Sequence, residues 1–180
     1  MSELQRFLPE DQDILVGLMC RIGMWISSID DTDINAASED KEEVKLREVL
    51  QSLSTTKKSV LVAELASEAL RQKSNWPRWS TSADTVLDDV VAAKDILKSQ
   101  GTHLEMVAFS KALMLIGTVV AKAFREDNDL KEDKGYLAWL TEKANELTLA
   151  VTDHEAYKDM NISPAESTAL TELFMILKDK

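Results

Sequence analysis

The stretch MVAFSKALMLIGTVVAKAF, residues 106 to 124, is apolar on almost every side of the helix that its spacing describes. A helix without a polar face must be surrounded, so the chain has to wrap other elements around this one. Lys111 and Lys122 interrupt the stretch and leave ten uncharged residues between them, too few to cross a hydrocarbon layer of about 30 Å. The expectation is a buried central helix, in a chain with no transmembrane segment.

What surrounds it should also be helical. Five glycines and three prolines in 180 residues are too few for the many tight turns of a sandwich or barrel. With 44% hydrophobic residues the chain can build one sizeable core. The reading is therefore all-α: a single domain, residues 1–180, with about seven helices around two central apolar ones. Pro9, Glu10 and Asp11 suit a helix start, because proline loses nothing there and acids favour the positive end of the helix dipole. Apolar residues from Ile14 to Ile29 carry that first helix at helical spacing. A second helix is marked by Val44 to Leu53, and a third lies in Ser54 to Lys73. SNWPRWSTS reads as a break, since Pro77 disfavours helix in the residue before it. Ser82 opens a fourth helix that Gly101 stops. Thr102 and Glu105 form a capping box for the fifth, through Phe124, and Tyr136 to Val151 carry a sixth. In SPAE, Ser163, Pro164 and Glu166 start the seventh.

The two central helices align with each other. LMCRIGMWISSIDDTDI and ALMLIGTVVAKAFREDNDL each carry an Ile-Gly and run into an acidic loop, the pattern of an internal pseudo-repeat. Glycine inside a helix costs about 1 kcal/mol against alanine, so Gly23 and Gly117 are expected where the two helices approach closely.

A formal charge of -11 and a pI near 4.7 repel nucleic acid and anionic lipid at long range. Cys20 is the only cysteine, so no intrachain disulfide is possible and a buried thiol is expected. The opening MSELQRFLPEDQ lacks the basic and apolar regions of a signal peptide. A cytoplasmic protein is the expectation.

Two stretches carry candidate sites. DTDINAASEDKE, residues 31 to 42, has oxygen-bearing side chains at positions that a calcium-binding loop uses: Asp31 at one, Asp33 at three, Asn35 at five, Glu39 at nine and Glu42 at twelve. Position six is Ala36 where the sharp turn favours glycine, and position eight is Ser38. These departures point away from an EF-hand and toward a looser, weak site for a divalent cation such as calcium, or toward a solvated helix cap. The second stretch is NWPRW, where Trp76 and Trp79 flank Pro77 and Arg78. Two large aromatics in a break either fold back as a lid or, with Arg78, present a surface to a protein partner.

The long apolar helix entering an acidic D-x-D-I turn, followed by a Glu-bearing helix and later by NISPAESTALTELFMIL, resembles the tellurite-resistance TerB-like family of small helical proteins. The resemblance covers Met19 to Leu53 and Asn161 to Leu177. It lacks the Asp-Gly of that family's turns, since Thr32 follows Asp31 and Met160 precedes Asn161. It implies a cytoplasmic, stress-associated scaffold whose acidic surface binds divalent cations or partners, with no catalysis to transfer.

Catalytic motifs are missing: the chain has no G-x-S-x-G, P-loop or G-x-G-x-x-G. Acid pairs stand at i, i+4 in Glu64 and Glu68 and in Glu142 and Glu146, but neither His103 nor His154 has the glutamate three residues before it that a diiron bundle uses. The expectation is a protein that is not an enzyme. Three readings follow: a cation-modulated scaffold, an interaction module using the tryptophan stretch, and a ligand binder or cryptic enzyme with a cavity between the central helices.

Overall fold

The computed structural model describes residues 2–29, 36–123, 138, 142 and 162–178, the side chains of 36–42 and 123 excepted. These residues form α1 (Pro9–Ile29), α2 (Ala36–Ser54), α3 (Val60–Arg71), α4 (Trp76–Ser80), α5 (Val86–Gln100), α6 (His103–Ala123) and α7 (Pro164–Lys178). Single 3-10 turns stand at Glu3–Arg6, Lys73–Asn75 and Ala83–Thr85, and no strand occurs among the described residues. The fold is an all-α single-domain bundle.

Helix α6 is the axis. Ala112 to Ala121 are all buried, and α1, α2, α3, α5 and α7 each pack on it. By length and composition alone this helix could cross a membrane; its surroundings in the structure are five other helices. Helix α1 is its main neighbour and runs antiparallel to it. A Cβ on Gly23 would lie 3.1 Å from Val120, and one on Gly117 would lie 3.7 Å from Ile26. Gly23 thus sits at the close approach expected of the two central helices, while the tight contact of Gly117 is Leu170 of α7 at 2.9 Å, with α1 at ordinary contact distance.

The caps follow local chemistry. Thr102 and Glu105 close a box at the start of α6: the Thr102 N–H donates to Glu105 Oε2 at 2.8 Å and the Glu105 N–H to Thr102 Oγ1 at 3.2 Å. The Ser163–Glu166 box repeats this at α7, at 3.0 and 3.2 Å, with Glu166 buried. At the other end of α7, the buried Lys94 ammonium donates to the Ile176 carbonyl, where a cation complements the helix dipole.

Four boundaries differ from expectation. Helix α5 begins at Val86, after the 3-10 turn Ala83–Thr85, and not at Ser82. Helix α2 begins at Ala36, well before Val44, because SEDKEE supplies good helix formers without an apolar stripe. Helix α3 starts after Ser59, whose hydroxyl accepts from the Val62 N–H at 3.3 Å, so Ser54 ends α2 instead of opening α3. WPRWS is a short helix and not a break. Trp76 takes helical angles, φ -56° and ψ -42°, despite the following proline, and its indole N–H is fixed on the Ala69 carbonyl at 3.0 Å. Of the helix expected over 136–151 only residues 138 and 142 are described, both helical, and the rest lies outside the described residues.

Candidate functional site

The short helix α4 sends its two tryptophans to different places. Both rings are buried, at 5% and 6% exposure. The interaction reading for Trp76, Arg78 and Trp79 is corrected accordingly: the rings belong to the core as a lid, and only Arg78 of the three is exposed. The cause is the helical turn itself, which places residues 76 and 79 on one side and leaves Arg78 on another.

Trp79 lies on the closed side. A Cβ on Gly17 would stand 3.5 Å from its indole nitrogen and 3.8 Å from Arg21 Cδ, so α1 presents a glycine where the ring and the arginine stem meet. The guanidinium of Arg21, 9% exposed, donates to Asp89 of α5, to the Ser82 carbonyl and, at 2.8 Å, to Thr85 Oγ1. This network ties the 3-10 turn after α4 to α1 and α5.

Trp76 lies on the open side, against a cleft of about 420 Å³. Its floor is Gly23 of α1, Leu46 of α2 and Val120 of α6. Gly23 lets this floor close up, since a Cβ there would stand 2.9 Å from Leu46 Cδ1 and 3.1 Å from Val120. Met24, Trp76 and Pro77 form apolar walls, and Ser27 and Ser80 contribute hydroxyls. At the mouth, Glu43 and Lys73 pair at 2.9 Å, with the Lys73 ammonium 5.9 Å from the Trp76 ring centroid. Arg47 also reaches Glu43, at 3.0 Å. The hydrogen bond from Lys73, helped by Arg47 and opposed by partial burial, holds the Glu43 carboxyl below its ordinary range.

A second cleft, about 430 Å³, lies between α3 and the N-terminal turn. Its polar groups serve the fold: Glu64 accepts from Ser2 Oγ at 2.7 Å and from the Leu4 N–H at 2.9 Å, while Glu68 is engaged by Arg71 and Gln72. The Glu64 and Glu68 pair is therefore taken up by internal contacts. Glu142 is exposed, and Glu146 lies outside the described residues.

Of the expected cation ligands, Asp31, Asp33 and Asn35 lie outside the described residues. Positions 39 and 42 fall on α2, whose helical backbone from Ala36 onward replaces the looped path that a twelve-residue calcium loop follows at its sixth position. Among the described residues no group of three or more His, Cys, Asp or Glu side chains could hold a metal. Cys20 is buried, and burial pushes its thiol well above the ordinary range. No family model, curated protein or solved structure matches the chain.

The cleft was not apparent from the sequence by residue. In the sequence Gly23 reads as a close-packing position and Trp76 as either a lid or a display residue, while Glu43, Leu46, Lys73 and Ser27 carry no motif. Their meeting depends on how α1, α2 and α4 cross.

Proposed function

We propose that this chain is a non-catalytic binding protein, a cytoplasmic helical scaffold of the stress-associated, TerB-like kind, that takes up a small ligand in the cleft beside Trp76. The observation that carries this reading is the cleft's construction: an apolar floor reaching the crossing of the two central helices, with Glu43 at the mouth paired to Lys73 and Arg47. Largely apolar concavities with a few placed polar groups are the usual form of a small-molecule site. The reading is non-catalytic because, among the described residues, the lining places no histidine beside Ser27 or Ser80 to act as a base. The TerB-like part of the reading rests on the sequence resemblance over Met19 to Leu53 and Asn161 to Leu177.

The test uses N-phenyl-1-naphthylamine, a neutral apolar fluorophore. The parent protein should enhance its emission, and Ser27→Phe, which fills the cleft from α1, should abolish the enhancement while the helical circular dichroism is retained. Unchanged emission in a folded Ser27→Phe variant sinks the reading.

A further inference from the structure

Lys73 shows what the mouth of the cleft recognises. It is carried on the three-residue 3-10 turn Lys73–Asn75, its side chain is 54% exposed, and its ammonium nevertheless sits between a carboxylate and an indole. Glu43 Oε1 is 2.9 Å away and the Trp76 ring centroid 5.9 Å. A carboxylate and an aromatic face converging on one point form a seat for an organic ammonium group. Here the chain's own lysine fills that seat from the solvent side, while the apolar cleft opens next to it.

We propose that the cleft binds an amphipathic organic cation, an ammonium head on an apolar body, whose head takes the place of Lys73 between Glu43 and Trp76. This deepens the proposed function and rests on it. Displacing Lys73 costs little, because an exposed ion pair contributes little to stability and the freed side chain extends into water. Glu43 is suited to the exchange: its side chain is 43% exposed and keeps Arg47 at 3.0 Å when Lys73 leaves, so its charge stays in place to pair with the incoming head. The body would lie against Met24, Leu46, Pro77 and Val120.

Charge decides for a cation over an anion. Lys73 and Arg47 outnumber Glu43 at the mouth, which alone would favour an anionic head. The surroundings reverse that balance. The whole chain carries a formal charge of -11. A field of this sign draws cations to the mouth and keeps anions away.

The experiment is calorimetric titration of octyltrimethylammonium, octanol and octyl sulfate into the parent and three variants. The parent should bind the cation about fivefold more tightly than octanol and the sulfate more weakly than either. Lys73→Ala vacates the seat and should tighten the cation about threefold while leaving octanol unchanged. Glu43→Gln should bring the cation down to the affinity of octanol. Ser27→Phe should remove both. Equal binding of cation and octanol, or tighter binding of the sulfate, overturns the cation assignment; if Ser27→Phe still removes the bound ligand, the cleft itself stands as a binding site. A cation affinity that Lys73→Ala weakens or leaves unchanged also overturns the assignment. Cation binding that all three variants leave alone is adsorption to an acidic surface and overturns both readings. Lys73 and Glu43 are surface residues, so their two variants decide the matter even where Ser27→Phe fails to fold.

Discussion

The two tryptophans of α4, three residues apart, stand beside two ion pairs of opposite character. Beside Trp79, Arg21 is enclosed at 9% exposure and spreads its donors over a carboxylate, a carbonyl and a hydroxyl from three successive parts of the chain. Beside Trp76, Lys73 and Glu43 are 54% and 43% exposed and hold each other at the rim of a cleft. The first arrangement cannot change without leaving the buried Arg21 guanidinium short of partners, which is costly. The second can change cheaply, because water replaces whatever either partner loses. One short helix thus joins a fixed anchor to an exchangeable mouth, and this is why the functional reading rests on the Trp76 side.

The largest expected effect tests whether both rings really belong to the core. Trp79→Ala should destabilise by about 4 kcal/mol, within the usual range for deleting a buried aromatic. Trp76→Ala should cost about 3 kcal/mol, less because part of its ring borders the cleft. Chemical denaturation measures both. A loss below about 0.5 kcal/mol, the scale of a surface substitution, at either position would restore the displayed-surface reading for that ring.

Next comes the anchor itself. Arg21→Met keeps much of the apolar stem and removes the guanidinium, leaving Asp89, the Ser82 carbonyl and Thr85 without that donor. Breaking one side of a buried pair costs about 3–5 kcal/mol. Because Asp89 is 29% exposed and regains some water, about 2–3 kcal/mol is expected here. The loss should persist at high salt, since enclosed pairs are screened little. A loss that salt removes would show that the anchor is a surface pair like its counterpart.

These contrasts also explain which features could be read from residue order. Caps could, because a capping box is made within four residues: Thr102 with Glu105 and Ser163 with Glu166 bond as their spacing implies. The all-round apolar helix could, because no surface can accommodate it, and so could Gly23 at the α1–α6 crossing. The first turns of α2 could not, since Glu39 to Glu43 offer no apolar period to detect. Helix α4 was hidden by Pro77, whose local rule was outweighed by the burial of Trp76 and its bond to Ala69, a carbonyl seven residues back. Nor could the cleft be read, because Gly23, Glu43, Lys73, Trp76 and Val120 are brought together only by tertiary packing.

The glycines carry the comparison into the core. Gly117 faces Leu170, fully buried, with 2.9 Å to a prospective Cβ. Gly23 faces Leu46 at the same distance, but Leu46 and Val120 line the cleft and have space to shift into. Overpacking costs about 1–3 kcal/mol, and removing a helical glycine returns about 1 kcal/mol. Gly117→Ala should therefore cost about 1 kcal/mol net, and Gly23→Ala close to nothing in stability while reducing probe binding in the cleft. The reverse order would mean that the Gly23 side is the tighter one.

The smallest effect is the most specific to the open side. Lys73→Ala should change stability at neutral pH by less than about 0.5 kcal/mol, the scale of an exposed pair. Its pH dependence carries the information. The Glu43 carboxyl is held below its ordinary range, first by the hydrogen bond from Lys73. A depressed carboxyl contributes stability that is present above the unfolded pKa, about 4.3, and lost as the pH falls through the folded value. The small difference between parent and Lys73→Ala should therefore be present at pH 7 and vanish once the pH falls below the folded Glu43 value, and added salt at pH 7 should shrink it in the same way. Arg21→Met provides the contrast, since its loss at pH 7 should survive that salt. A Lys73→Ala loss that exceeds 1 kcal/mol, the upper end for exposed pairs, and resists salt would mean that the mouth is as fixed as the anchor. An ammonium ligand could not then displace Lys73 cheaply, and the exchange at Glu43 would lose its physical basis.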